Sequence, residues 1–165
     1  LIKIGGITLK VQKVTLKEFE IVEVEGDFEK RFINEKNYPA FLTNASVKRG
    51  FETGLIETSL WEDLLKIMGL QSVIEKNDEE STLQLMNMFD EQKLIAVVYL
   101  GVLGANKNVD LTFDSFIEKY HYDLAETIEI YANLITNLVT QDPNQFAKGL
   151  QQSTKSEKKN SSLLS

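Results

Sequence analysis

The stretch Leu83–Gly104, LQLMNMFDEQKLIAVVYLGVLG, limits what this chain can fold into more than any other. Leu83, Met86, Phe89, Leu94, Val97, Val98, Gly101 and Val102 recur at mostly helical spacing, which places most of them on one broad helix face. From Leu94 to Leu103 no residue is charged, and only Tyr99 carries a polar side-chain atom. A helix that is apolar all round needs other elements to cover it. The run is too short, and too polar upstream, for a bilayer span, which takes roughly 20 apolar residues. It therefore predicts the central helix of a small domain.

With 165 residues the chain has the length of one domain plus a tail. A chain of this size buries enough surface to hold a core without disulfides or metals. It has no cysteine, which removes disulfide frameworks, thiolate zinc sites and cysteine nucleophiles from consideration. The net charge of −7 argues against a nucleic-acid surface, which requires clustered Lys and Arg. That acidity belongs to the body, because the last residues set Lys148, Lys155, Lys158 and Lys159 against Asp142 and Glu157. Lys3, Gly5-Gly6 and Lys10 break up the first apolar residues, so a secretory signal is not expected there.

Residues 1–35 read as a β-rich part and 40–140 as a helical part of one globular domain, with a flexible polar tail at 141–165. Ile7, Leu9 and Val11 alternate with polar residues, and Gly5-Gly6 is a two-residue hairpin signal. Phe19–Glu25 is rich in branched residues and favours a strand. A competing helix could start at Leu16, capped by Thr15 and Glu18, and a short helical turn followed by a strand would satisfy both. Asp27–Tyr38 is charged and weakly periodic and receives no assignment. Thr43 or Asn44 caps a helix to about Glu52. Ser59 and Glu62 form a capping box for a helix ending near Gly69, with Leu60, Trp61, Leu64, Leu65 and Met68 as its buried stripe. After a polar, acidic stretch and the central helix, Thr112 caps a short helix to about Tyr120, and Leu111 and Phe116 take the staple positions. Asp123 and Glu126 open a last amphipathic helix striped by Leu124, Ile128, Tyr131, Leu134, Ile135 and Leu138. The expected fold is α+β, mainly α: a small N-terminal β portion, four to five helices and a flexible C-terminal tail.

Catalytic chemistry has little support. His121 is the one histidine, and Ser115, His121 and Asp123 resemble a triad only as letters. Asp78-Glu79-Glu80 lacks the alternating ligands and turn glycine of a calcium loop, and reads as an acidic helix start. No lysine of a phosphate loop follows Gly5-Gly6. No cofactor, metal, nucleic-acid or membrane partner is expected. Most aromatic residues lie on helix stripes and read as core. Tyr120, Tyr122 and Phe146 fall where less core is available, which suits a partner groove, as do Leu150 and Leu163-Leu164.

Tyr38-Pro39-Ala40-Phe41-Leu42-Thr43-Asn44-Ala45, then Arg49-Gly50 and Gly54-Leu55-Ile56-Glu57-Thr58-Ser59-Leu60-Trp61-Glu62-Asp63-Leu64-Leu65, resemble the tail assembly chaperones of long-tailed phages and prophages of Gram-positive bacteria. The second half is similar too: an apolar helix through Tyr99-Leu100-Gly101, a helix start at Leu111-Thr112-Phe113, and an amphipathic last helix before a polar tail. The resemblance covers about residues 2–140 and rests on packing and turn signatures. It implies a non-enzymatic protein of the bacterial host cytoplasm that binds the tape measure protein, and often the tail tube protein, and is missing from the finished virion. Leu94, Val98 and Val102 are the candidate contacts on the central helix, beside Tyr120, Tyr122 and Phe146. The rival readings are a structural phage component, such as a head–tail connector or tail completion protein, and a small regulatory binding module.

Overall fold

The computed structural model describes residues 2–4, 7–9, 11–74 and 78–141. Strands β1 (Ile2–Ile4) and β2 (Ile7–Leu9) pair antiparallel with Ile4 opposite Ile7. Strands β3 (Gln12–Val24) and β4 (Asp27–Ala40) form a second, much longer antiparallel hairpin. Six helices follow among the described residues: α1 (Asn44–Glu52), α2 (Leu60–Ile74), α3 (Glu79–Met88), α4 (Glu91–Ala105), α5 (Phe113–Lys119) and α6 (Leu124–Gln141). The fold is α+β and mainly helical, with its strands at the N-terminal end.

At Thr43, Thr112 and Asp123 the capping residues act as expected, whereas the Ser59–Glu62 box does not form: Ser59 Oγ accepts from Trp61 N, two residues on, at 3.2 Å. The Thr43 side chain accepts from Ser46 N at 3.0 Å, and Ser46 Oγ accepts from Thr43 N at 2.9 Å. Thr112 Oγ1 accepts from Ser115 N, and Asp123 and Glu126 exchange both bonds of a capping box, at 2.8 and 2.9 Å. Asp78 caps α3 through Ser81 N at 2.7 Å, so the acidic run is a helix start.

Three further expectations need correction. The central stretch is two helices, because Asp90 Oδ1 accepts from Gln92 N and Lys93 N and so caps a new helix. Phe89 before it is extended (φ −117°, ψ 138°), and its ring goes into the core. This break is why there are six helices and not four or five. Second, α2 runs through Gly69 to Ile74, and Leu65 and Met68 face solvent; its buried side is Leu60, Asp63 and Leu64. Third, the unassigned Asp27–Tyr38 segment is most of β4, and Leu16 lies in β3, so no helix starts there.

Helix α4 is the hub of the core. Leu94, Ala96–Val102 are buried, and α1, α5, α6 and β4 all pack on it. Two glycines allow the closest approaches. A Cβ on Gly50 of α1 would lie 2.5 Å from Leu100 Cδ1, and one on Gly104 would lie 2.5 Å from the carbonyl oxygen of Phe41. The root of the long hairpin joins the core through Val14, Leu16, Tyr38 and Ala40, and Phe41 N donates to Gly101 O at 3.1 Å. Beyond that root the hairpin leaves the body.

Candidate interaction surface

The β3–β4 hairpin turns at Glu25-Gly26, both at positive φ (53° and 87°), a pair of values that matches the right-handed twist of the flanking strands. From there to Glu18–Ile33 the ribbon is regular, and then one extra residue enters β4: Leu16 pairs with Lys36, whereas Glu18 pairs with Ile33. The bulge puts Asn34 at φ 51°, a left-handed conformation that asparagine tolerates. Asn34 Nδ2 donates to Glu18 Oε2 at 2.7 Å, and Lys119 Nζ meets Glu18 Oε1 at 3.0 Å. Together they hold the Glu18 carboxyl below the usual carboxylate range, the Asn34 bond foremost. The bulge is thereby tied to α5.

Past the bulge the ribbon is an arm. The register sets Phe19 opposite Phe32, Ile21 opposite Lys30 and Glu23 opposite Phe28, and alternation puts these six on one face. Its apolar members remain in water: Phe19 is 48% exposed, Ile21 57%, Phe28 77% and Phe32 51%. Lys30 Nζ lies 4.5 Å from the Phe19 ring centroid and 5.0 Å from that of Phe32, and Lys17 Nζ lies 5.5 Å from Phe32. Each of these ammonium groups lies within cation–π range of an aromatic ring.

His121 sits where arm meets body. Its ring is 5.9 Å from Phe19 in an edge arrangement and 5.1 Å from Phe32, and its Nε2 is buried without a hydrogen-bond partner. A hollow of about 200 Å³ lies alongside, lined by Thr15, Lys17, Phe32, Glu35, His121, Tyr122 and Glu126. The Tyr122 hydroxyl accepts from the backbone N–H of Thr15 at 2.8 Å and closes the outer edge of β3 at its root.

The candidate contacts taken from the sequence lie elsewhere. Leu94, Val98 and Val102 are 1%, 0% and 0% exposed, enclosed by the elements around α4, so no partner reaches them. Tyr120 is buried too, its hydroxyl 2.9 Å from Thr127 Oγ1. Tyr122 is half-buried and engaged with β3. Phe146, Leu150 and Leu163-Leu164 lie outside the described residues. The triad letters hold separate posts: Asp123 caps α6, Ser115 N is bonded to Thr112, and His121 packs on the arm.

One polar cluster is buried. Asp63 Oδ2 receives Lys93 Nζ at 2.6 Å and the Tyr131 hydroxyl at 2.6 Å, joining α2, α4 and α6. Lys93 also reaches Thr58 Oγ1 at 2.6 Å and Ser59 O at 3.3 Å, so its three protons are all engaged. With every group satisfied, the cluster is a clamp between helices and offers no free nucleophile or base. Among the described residues no group of His, Asp and Glu could hold a metal ion, and no helix is long and apolar enough to cross a membrane.

The arm face is what the sequence reading missed. Its signal was present in the alternation of Phe19, Ile21 and Glu23, the Glu25-Gly26 turn, and Phe28 and Phe32 four residues apart. No protein-family model, curated protein or solved structure matches the chain.

Proposed function

We propose that the chain is a tail assembly chaperone of a long-tailed phage or prophage. It acts in the bacterial host cytoplasm, binds the tape measure protein or the tail tube subunit before the tube polymerises, and leaves before the virion is complete. The observation that carries this reading is the apolar face of the arm, which projects from an acidic body and, apart from the His121 contact at its base, stays open to water. A tape measure protein is long and helical, with apolar seams exposed until the tube encloses it. Phe19, Ile21, Phe28 and Phe32 offer an apolar strip against which such a seam can be shielded, and the net charge of −7 favours solubility of the complex. The reading is non-enzymatic: binding, not chemistry, is the task.

Co-expression with the tape measure or tube protein encoded beside it tests this. The wild-type chain is expected to retain the client on purification and raise its soluble fraction, and Phe28→Ser with Phe32→Ser to lose both effects while the body stays folded. If neither client is retained, and neither becomes more soluble, the reading fails. Mass spectrometry of purified virions separates the structural-component alternative, because a chaperone is missing from the particle and a connector is present.

A further inference from the structure

The face of the arm is one surface, and its edges are another. The β3–β4 sheet has two strands, so from Asp27 to Ile33 one side of β4 carries backbone groups that no described strand pairs. We infer that this edge of β4 pairs antiparallel with β4 of a second copy of the chain, about a two-fold axis through Lys30, to form a four-stranded sheet.

Backbone direction sets the parity of the pairing. The turn at Glu25-Gly26 closes on Val24–Asp27 as a hydrogen-bonded pair. Pairs alternate along an antiparallel ladder, so the N–H and C=O groups of Phe28, Lys30 and Phe32 point away from β3. An axis through Lys30 brings Phe28 of one copy opposite Phe32 of the other, and Lys30 opposite Lys30, so that every outward amide meets an outward carbonyl.

Side-chain charge then selects the axis. Phe28-Glu29-Lys30-Arg31-Phe32 is self-complementary about its centre. With Lys30 on the axis, Glu29 of each copy faces Arg31 of the other, and Phe28 faces Phe32, each pair occurring twice. Opposite-charge and aromatic cross-strand pairs are the ones that stabilise sheets. Moving the axis one step, to Glu29 or Arg31, sets Glu29 or Arg31 against its own copy and gives up both the Glu29–Arg31 and the Phe28–Phe32 pairs. The two central lysines do not collide, because each ammonium leans over its own Phe19 and Phe32. The other edge is unsuited: from Glu18 to Glu25 the charged residues of β3 are all glutamates, and at its root the Thr15 amide is taken by Tyr122. Opposed residues in an antiparallel ladder share a face, so the aromatic strips of the two copies become continuous.

Sedimentation velocity and native mass spectrometry of the full chain test this across a concentration series. The wild-type chain is expected to dimerise. Glu29→Arg and Arg31→Glu each set like charges across the axis and are expected to weaken the dimer by roughly tenfold or more. Mixed in equal amounts, these two variants are complementary, and a heterodimer as tight as the wild-type dimer is expected. That result separates the contact between copies from the Glu29–Arg31 ion pair within one strand, which stays broken in both variants. Lys30→Pro removes one outward amide at a site where an edge strand tolerates proline, and is expected to be monomeric with an unchanged circular dichroism spectrum. A wild-type chain that is monomeric throughout, single variants that dimerise like wild type, or a mixture no tighter than its components would each overturn the proposal. None of these outcomes depends on whether a tail protein is bound.

Discussion

Asp63 takes a proton donor from each of two helices and sits on a third, with its side chain 9% and that of Lys93 11% exposed. At such depth a charge is tolerated because its partner is beside it, and removing one member leaves the other stranded. Lys93→Met is therefore expected to cost about 3–5 kcal/mol, read as a lowered denaturant midpoint. Adding Asp63→Asn should recover part of that loss, since the uncompensated carboxylate is then gone. Burial also governs the tyrosines. The Tyr120 hydroxyl is pushed from an ordinary 10.0 up to about 12, chiefly by burial, with the Thr127 bond acting in the opposite direction. The unfolded chain ionises first, so the stability held by this group is intact below pH about 10 and is lost as pH rises towards about 12. Tyr120→Phe should flatten that part of a stability–pH profile. A slope from Tyr131 should remain, because burial and then the Asp63 carboxylate raise its hydroxyl as well.

The helix caps were legible in the sequence because a cap is local: Thr43, Thr112 and Asp123 each bond an amide three residues on. The break at Phe89-Asp90 was not, since continuous apolar spacing suits two helices as well as one, and only the core decides that Phe89 turns inward. Nor was β4 legible. Beyond Ile33 towards its turn both of its faces meet water, and the apolar-in, polar-out alternation that marks a strand needs one face buried. Its pairing with β3 defines it, and that is a contact between segments. The arm's independence can be measured. Replacing residues 19–32 with Asn-Gly, which joins the Glu18–Ile33 pair through a two-residue turn, should leave the body folded with an almost unchanged denaturant slope. The expected loss of about 1–3 kcal/mol comes from the Phe19 and Phe32 contacts to His121. A larger loss would make the arm part of the core.

At the scale of the whole molecule, two surfaces that read alike as letters have opposite fates. The apolar residues of α4 and those of the arm are both far from polar, yet one set is enclosed on every side and the other is about half exposed or more. Hydropathy identifies surface that needs covering, and it does not say whether the same chain supplies the cover. Leu94, Val98 and Val102 were therefore sound as core and unsound as contacts. The arm residues could be placed only once the register was known. The bulge at Asn34 adds a different kind of freedom. It takes up one residue without altering a pair above or below it: Phe19 faces Phe32 and Val14 faces Tyr38 whether or not the extra residue is there. What it changes is the local twist and bend of the ribbon. The composition of the aromatic strip and the direction in which it is aimed are thus set by separate residues. A single insertion or deletion at this joint re-points the strip towards a differently shaped client and leaves its chemistry as it was.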